Sequence, residues 1–430
     1  MISDLLNIFR RGVILILLKN KSEITYGTYV TKGESYRRET KMRKHVFSVF
    51  VISALMVLAL ASFTPSQAEE LKIGFTAPLS GGGMSWGYGT LSGLELAMED
   101  INKAGGLKVG GKSYTLKAIP YDSKYLADPA VTAAKRLMYE DKVKIIFGEV
   151  GSSAALAIQG VTEPNKVILF SNSYTRRLLG PDKPYTLRWF ITNVEYAGPM
   201  LAYYKKKWPD AKRLAYFYPE DETGQDMFSW EKKVGAETGI EVVGFPWERG
   251  TVDLTPIITK ALAANIDIMD MNGSPPGEVG QMINILRQMG WTKGIVRTGG
   301  SVVFDLLRLC GKNANGVIYH EDGDFDAPKC AALVKRFKAK KYPAVSPNAM
   351  MFPSYDGAMI LFKGMEMAGT VDDTAKIRDA MLSIKSFDGL QGKVRWGGKD
   401  TYGANHQLMG PAFIGEIVDG KPKIVFKIEF

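Results

Sequence analysis

The stretch IIFGEVGSSAALAIQGVTEPNKVILFSNSYT at 145–175 constrains the fold more than any other. Two short apolar runs, 143–147 and 167–170, are rich in valine and isoleucine and bounded by glycine and asparagine, which suits strands buried on both faces. Each run empties into small hydroxylic residues: Gly151, Ser152 and Ser153 after the first, then Ser171, Asn172, Ser173 and Thr175 after the second. A helical segment joins the two runs, as a parallel pair requires. In an open α/β sheet, ligands lie outside the carboxyl ends of the strands, so two such loops in succession form one wall of a cleft. The plainer alternative is that these hydroxyls only cap helices.

The same alternation runs through most of the chain. Residues 71–77 read as a strand, PLSGGG at 78–83 as its exit, and 89–104 as a helix with Leu91, Leu94, Leu96, Ala97 and Ile101 on its apolar face. A strand at 114–121 and a helix at 128–140 lead into the opening stretch. The pattern restarts after Arg188, with helices at 196–208, 224–238, 254–265 and 278–289 and strands at 213–218, 241–245, 266–271, 294–298 and 316–319. The exits 219–223, 272–277 and 299–301 are again small and polar. This is an α/β chain with two lobes of similar build. The acidic segment 321–325 reads as a crossing between them. Three helical patterns follow, at 328–340, 346–368 and 373–383. The tail alternates apolar and polar residues at 389–396, 411–416 and 424–428, with a turn at Asp419-Gly420, as antiparallel strands do.

The amino end has another character. Basic residues at 42–45 precede an apolar run at 46–62 and the small residues of SQA at 66–68, the layout of a secretory signal peptide cleaved before Glu69. Residues 1–41 would bury that signal, so Met42 reads as the true start and 1–41 as an upstream extension. The chain is thereby expected in the periplasm, released in soluble form. Residues 1–68 hold ten of the 55 basic and four of the 45 acidic side chains, so the remainder carries +4 where the whole carries +10. Nucleic-acid binding loses its compositional support.

Catalytic chemistry has little to stand on. Beyond the leader the histidines are His320 and His406, and no HExxH, GxSxG or CxxC pattern occurs. Both read as structural or surface groups. No metal-ligand spacing is present and no cofactor is expected. The run Gly81-Gly82-Gly83 matches neither phosphate-loop pattern. Cys310 and Cys330 could pair in an exported protein, though sequence does not supply the geometry. Binding has more support: hydroxyls and free amides at a helix amino terminus suit a carboxylate, which Ser152 and Ser153 could receive, with Trp86 packing on an apolar part of the ligand.

At these residues the chain resembles a family. PLSG (78–81), WG (86–87), LAMEDIN (96–102), AGG (104–106), YDSKYLADPAVTAAKRLMYEDKV (121–143) and IFGEVGSSAALA (146–157) look like the leucine/isoleucine/valine-binding proteins, the type I periplasmic solute-binding proteins of ABC transporters. NGSPPGEVGQMINILRQMG (272–290) and NANGVIYHEDGD (313–324) extend the resemblance across the rest of the chain. It implies two Rossmann-like lobes joined by three crossovers, with 69–188 plus 324–398 in the first and 189–323 plus 399–430 in the second. It also implies a monomer that closes on a small carboxylate ligand, a branched-chain or other amino acid or an aromatic or organic acid. Delivery is then to an ABC permease in the inner membrane. A ligand-sensing module acting through a receptor or regulator is the alternative.

By the resemblance, Ser153, Ser173 and Thr175 hold the ligand carboxylate and Trp86 is the aromatic wall. In the second lobe, Glu222, Thr223, Ser274 and Ser301 are the candidates in the strand exits. Here the chain departs from the family, which places a tyrosine where Thr223 stands and an acid near 299–301 for the ligand ammonium. The nearest acids are Asp221, Glu222 and Asp305. A buried ammonium without a counter-charge is costly, so the expected ligand has a carboxylate and need not have an ammonium.

Overall fold

The computed structural model describes residues 69–343 and 346–430. The expected upstream extension and signal peptide lie outside the described residues. Strands β1 (Glu69–Ala77), β2 (Leu107–Val109), β3 (Lys112–Asp122), β4 (Ile145–Gly148), β5 (Ile168–Ser171) and β6 (Thr186–Arg188) enter one sheet. Strands β7 (Arg213–Pro219), β8 (Glu241–Trp247), β9 (Ile268–Asp270), β10 (Gly294–Arg297) and β11 (Ile318–Glu321) enter a second. The chain then returns to the first sheet with β12 (Phe387–Asp388), β13 (Lys393–Gly397) and β14 (Gln407–Met409), and ends in the second with β15 (Ala412–Val418) and β16 (Lys421–Ile428).

The central strands of both sheets are parallel, and β4, β5, β9, β10 and β11 are buried along their whole length. That burial is why their sequences are continuous apolar runs rather than alternating ones. In the first sheet β1 pairs with both β3 and β4; in the second, β7 pairs with both β8 and β9. Each lobe therefore has a point where strand order reverses, and the loops leaving β1, β4, β7 and β9 open beside it. The final hairpin pairs Val418 with Lys421 through Asp419 and Gly420, both at positive φ, the turn that matches strand twist.

The expected two-lobed α/β architecture is present. The lobes' sheets are joined where the chain passes from β6 to β7, from β11 to β12 and from β14 to β15. The last passage falls at Gly410-Pro411, because Gln407 pairs with Arg188 of β6 and 407–409 also pairs with β13. The expected boundary after residue 398 is therefore too early: so short a strand carries no periodicity that assigns it to a sheet.

Other differences are local. The first helix starts at Met84 instead of residue 89, since Gly81–Gly83 forms a single 3-10 turn that feeds straight into it. Helix Val303–Cys310 was not anticipated; it is one short element with no capping side chain. Cys310 and Cys330 are free thiols buried in separate apolar clusters, and burial pushes them up to about 11 and about 12. No helix among the described residues is long and apolar enough to cross a membrane.

Candidate ligand cleft

A narrow apolar cavity lies between the two sets of strand exits. Trp86, Tyr125, Val150 and Tyr174 line it from the first lobe, and Thr223, Met227, Gly273 and Gly300 from the second, with Met350. Trp86 stands on the first turn of helix Met84–Lys103, 3% exposed, its ring centroid 6.2 Å from that of Tyr125. Its indole Nε1 has no hydrogen-bond partner.

The first-lobe wall is the opening stretch of the sequence. The chain leaves β4 through Gly148 and Glu149, both at positive φ, and enters helix Ser152–Thr162 at Gly151. Glu149 is fully buried, and its carboxyl accepts the Gly151 amide at 3.0 Å and the Thr76 hydroxyl at 3.4 Å. Burial pushes this carboxyl up to about 7. The Ser152 amide donates to Thr223 Oγ1 at 3.2 Å. Ser152 Oγ accepts from Ser173 Oγ and from the Thr175 amide, each at 3.3 Å, and the Ser173 amide donates to Ser171 Oγ at 3.0 Å. The hydroxylic cluster is thus real and internally satisfied. Ser153 is exposed, one helix position away from the cleft, so the inward serine of the pair is Ser152. Helical geometry turns neighbours about 100° apart, so the two serines of the pair face different surroundings.

The second-lobe wall is built around the glycine pair after β10. A Cβ on Gly299 would lie 2.4 Å from the Tyr196 hydroxyl and 2.6 Å from Asn272 Oδ1. A Cβ on Gly300, at φ +82°, would lie 2.5 Å from Arg297 Nη2 and 3.7 Å from the Trp86 ring. Only glycine lets these polar atoms approach the cavity end. Arg297 is buried; its Nε donates to the Gly300 carbonyl at 2.6 Å and Nη1 to the Met271 carbonyl at 3.3 Å, while Nη2 has no partner. Asn272 Nδ2 and Oδ1, Ser274 Oγ and the Tyr196 hydroxyl are also buried without partners. Sequence reasoning passed over Arg297 because it ends an apolar strand. The signal was there: an arginine inside a buried parallel run, followed by two glycines.

Across the cleft, Thr175 Oγ1 donates to Glu222 at 2.8 Å, and Arg177 reaches the same carboxylate at 3.0 Å. Arg176 pairs with Asp226 at 2.9 Å, and Ser85 Oγ donates to Asp305 at 2.8 Å. Arg249 lies 4.4 Å over the Tyr125 ring and pairs with Asp221 at 2.5 Å. Ser301 hydrogen-bonds Asp322, and its carbonyl accepts from Asn348 at 2.6 Å, away from the cavity. Of the expected residues, Trp86 and Thr223 line the cavity itself. Ser152, Ser173 and Thr175 back its first-lobe wall, Ser274 belongs to the second, and Glu222 and Ser301 tie elements together. His320 is buried, stacked on Tyr196 at 3.8 Å, and burial lowers it to about 3, so it is neutral.

The comparisons with known proteins agree with this architecture. A family model described as periplasmic binding protein matches residues 70–422. The leucine-, isoleucine-, valine-, threonine- and alanine-binding protein of Pseudomonas aeruginosa is 25% identical over 335 residues, covering 77% of this chain and 87% of that protein. The crystal structure of a leucine binding protein, LivK, from Thermotoga maritima superposes with a TM-score of 0.73 at 22% identity, covering 84% of this chain and 99% of that one. A solute binding protein of an ABC transporter from R. palustris, solved in complex with benzoate, gives a TM-score of 0.71 at 19% identity over 84% and 98% of the two chains.

Proposed function

The chain belongs to the periplasmic binding protein family, and from that premise we propose that it captures a small carboxylate-bearing solute in the periplasm and delivers it to an ABC permease of the inner membrane. It is a binding protein and not an enzyme. The observation that carries the proposal is the cavity: apolar, walled by the strand exits of both lobes, and bridged by hydrogen bonds such as Ser152 to Thr223. Lobes joined by three crossings close on a ligand by hinge motion, and a closed cleft presents one shape to a permease. One copy supplies both walls, which supports a monomer as the binding unit.

Relatives bind branched-chain amino acids or, in the benzoate complex, an aromatic acid, and both ligand classes carry a carboxylate beside an apolar body. The mature protein, refolded from denaturant to strip bound solute, is expected to show a raised melting temperature with at least one amino acid, aromatic acid or short organic acid. A ligand at 100 times its dissociation constant stabilises by ~2.7 kcal/mol, which such a melt resolves. Silence across all three panels rejects the reading. Delivery is tested by solute uptake in cells lacking this protein, which is expected to fall and to return on complementation.

A further inference from the structure

The second lobe holds a buried arginine with one guanidinium nitrogen that the fold leaves without a partner. Arg297 is fully buried at the end of β10, two of its nitrogens bind backbone carbonyls, and Nη2 is free behind Gly300, facing the point that the Trp86 ring approaches from the other wall. The groups around the guanidinium are Tyr174, Asp270, Tyr196 and Glu321. Burial raises both tyrosines, so they are neutral, and pushes Glu321 up to about 8, so it is mostly protonated at neutral pH. Asp270, raised by burial to about 6, stays mostly ionised at neutral pH and is the charged neighbour of the guanidinium; its oxygens accept from the Thr298 amide at 3.0 Å and from the Thr298 hydroxyl, and Arg297 Nη2 is left without a partner. Burial lowers Arg297 itself only to about 10, which leaves it cationic.

The acids that would answer a ligand ammonium are already engaged. Asp221 holds Arg249 and the Gly224 amide, Glu222 holds Thr175 and Arg177, and Asp305 holds Ser85 and Ser346. A buried cation with a free donor favours an anion, and a buried site without a free acid disfavours an ammonium. Arginine presents its donors as a fork that fits a carboxylate.

Resting on the solute-binding reading above, we propose that the ligand is an apolar monocarboxylic acid without an α-ammonium group, and that its carboxylate is received by Arg297 in the second lobe. Asn272 and Tyr196, which meet at Gly299, supply the remaining polar contacts at that end, and Trp86, Tyr125 and Met227 enclose the apolar body.

The test is calorimetric titration of the stripped protein with matched pairs: 4-methylpentanoate against leucine, 3-phenylpropanoate against phenylalanine, and benzoate against benzamide. The first member of each binding pair is expected to bind at least tenfold more tightly. Arg297→Gln is expected to weaken the acids by about 100-fold, within the range for removing one partner of a buried charge pair, and to leave benzamide unchanged. Arg297→Lys should restore part of the loss, because it keeps the charge without the fork. If leucine or phenylalanine binds more tightly than its deaminated partner, the inference falls while solute binding stands. If none of the six binds, the carboxylate reading falls and takes the inference with it. Should the Arg297 variants fail to fold, the pairs on the unaltered protein decide the question alone.

Discussion

The two walls of the cleft resolve the same problem in opposite ways. Both are strand exits rich in small residues and both bring buried polar atoms to an apolar cavity. In the first lobe, the carboxyl of Glu149 and the hydroxyls of Ser152 and Ser171 take up nearby amides, and Thr223 reaches across from the second lobe to accept the Ser152 amide. In the second, Arg297 Nη2, Asn272 and Tyr196 find no partner, a cation among them, whereas the unpartnered groups of the first wall are the neutral Trp86 indole and Tyr174 hydroxyl. Unpaired buried polar groups cost about 1–3 kcal/mol each, so a fold keeps several in one place only where something compensates them. A hydroxylic helix start shows where a cleft lies; the unanswered groups opposite show what it holds.

The sharpest way to break this contrast is Gly300→Val. Its side chain would sit against Arg297 Nη2 at a left-handed φ, and solute affinity is expected to drop by more than about 100-fold, with a stability cost of only ~1–3 kcal/mol in thermal unfolding. Normal binding by this variant would remove the second wall from the site. Trp86→Ala, which deletes the first-lobe aromatic face opposite Gly300, is expected to cost ~10- to 100-fold in calorimetric affinity. Ser152→Ala should cost under about threefold, and exposed Ser153→Ala nothing measurable. A tenfold loss in Ser152→Ala would return the carboxylate to the first lobe.

The smallest effect is on stability and concerns Glu149. Its folded pKa, about 7, is above the unfolded carboxylate value of ~4.3, so between these the native state binds the extra proton and stability falls as pH rises. Glu321, Asp322 and Asp356, raised by burial to about 8, about 6 and about 7, act with the same sign. Melting temperature is therefore expected to decline from pH 5.5 to pH 8.5, and Glu149→Gln to flatten part of that slope. An unchanged slope would mean that Glu149 is ionised in the fold and acts as a fixed anion on the helix amides.

Much of the fold was legible because its signals are local. Apolar runs bounded by glycine fix β4 and β5, and a heptad-like face fixes helix Pro328–Lys340, whose bounds coincide with the expected ones. The brief elements β2, β6 and β14 and helix Val303–Cys310 were not legible, because three to eight residues carry less pattern than the packing that orders them. For the cleft, Trp86, Ser152 and Thr223 were named from the sequence, and the structure sets Trp86 and Thr223 on the cavity lining and Ser152 buried behind it.

By itself the sequence determined two α/β lobes and a cleft at their strand exits, since burial on both faces and polar exits are written residue by residue. Only the tertiary structure decided which polar groups are free to meet a ligand. Glu149 answers amides a short turn away, but Arg297 faces Trp86 from 211 positions along the chain, and Asp305 is removed from service by Ser85, 220 positions distant. Whether a charge is satisfied depends on every group that packs around it, and that is settled only when the two lobes meet.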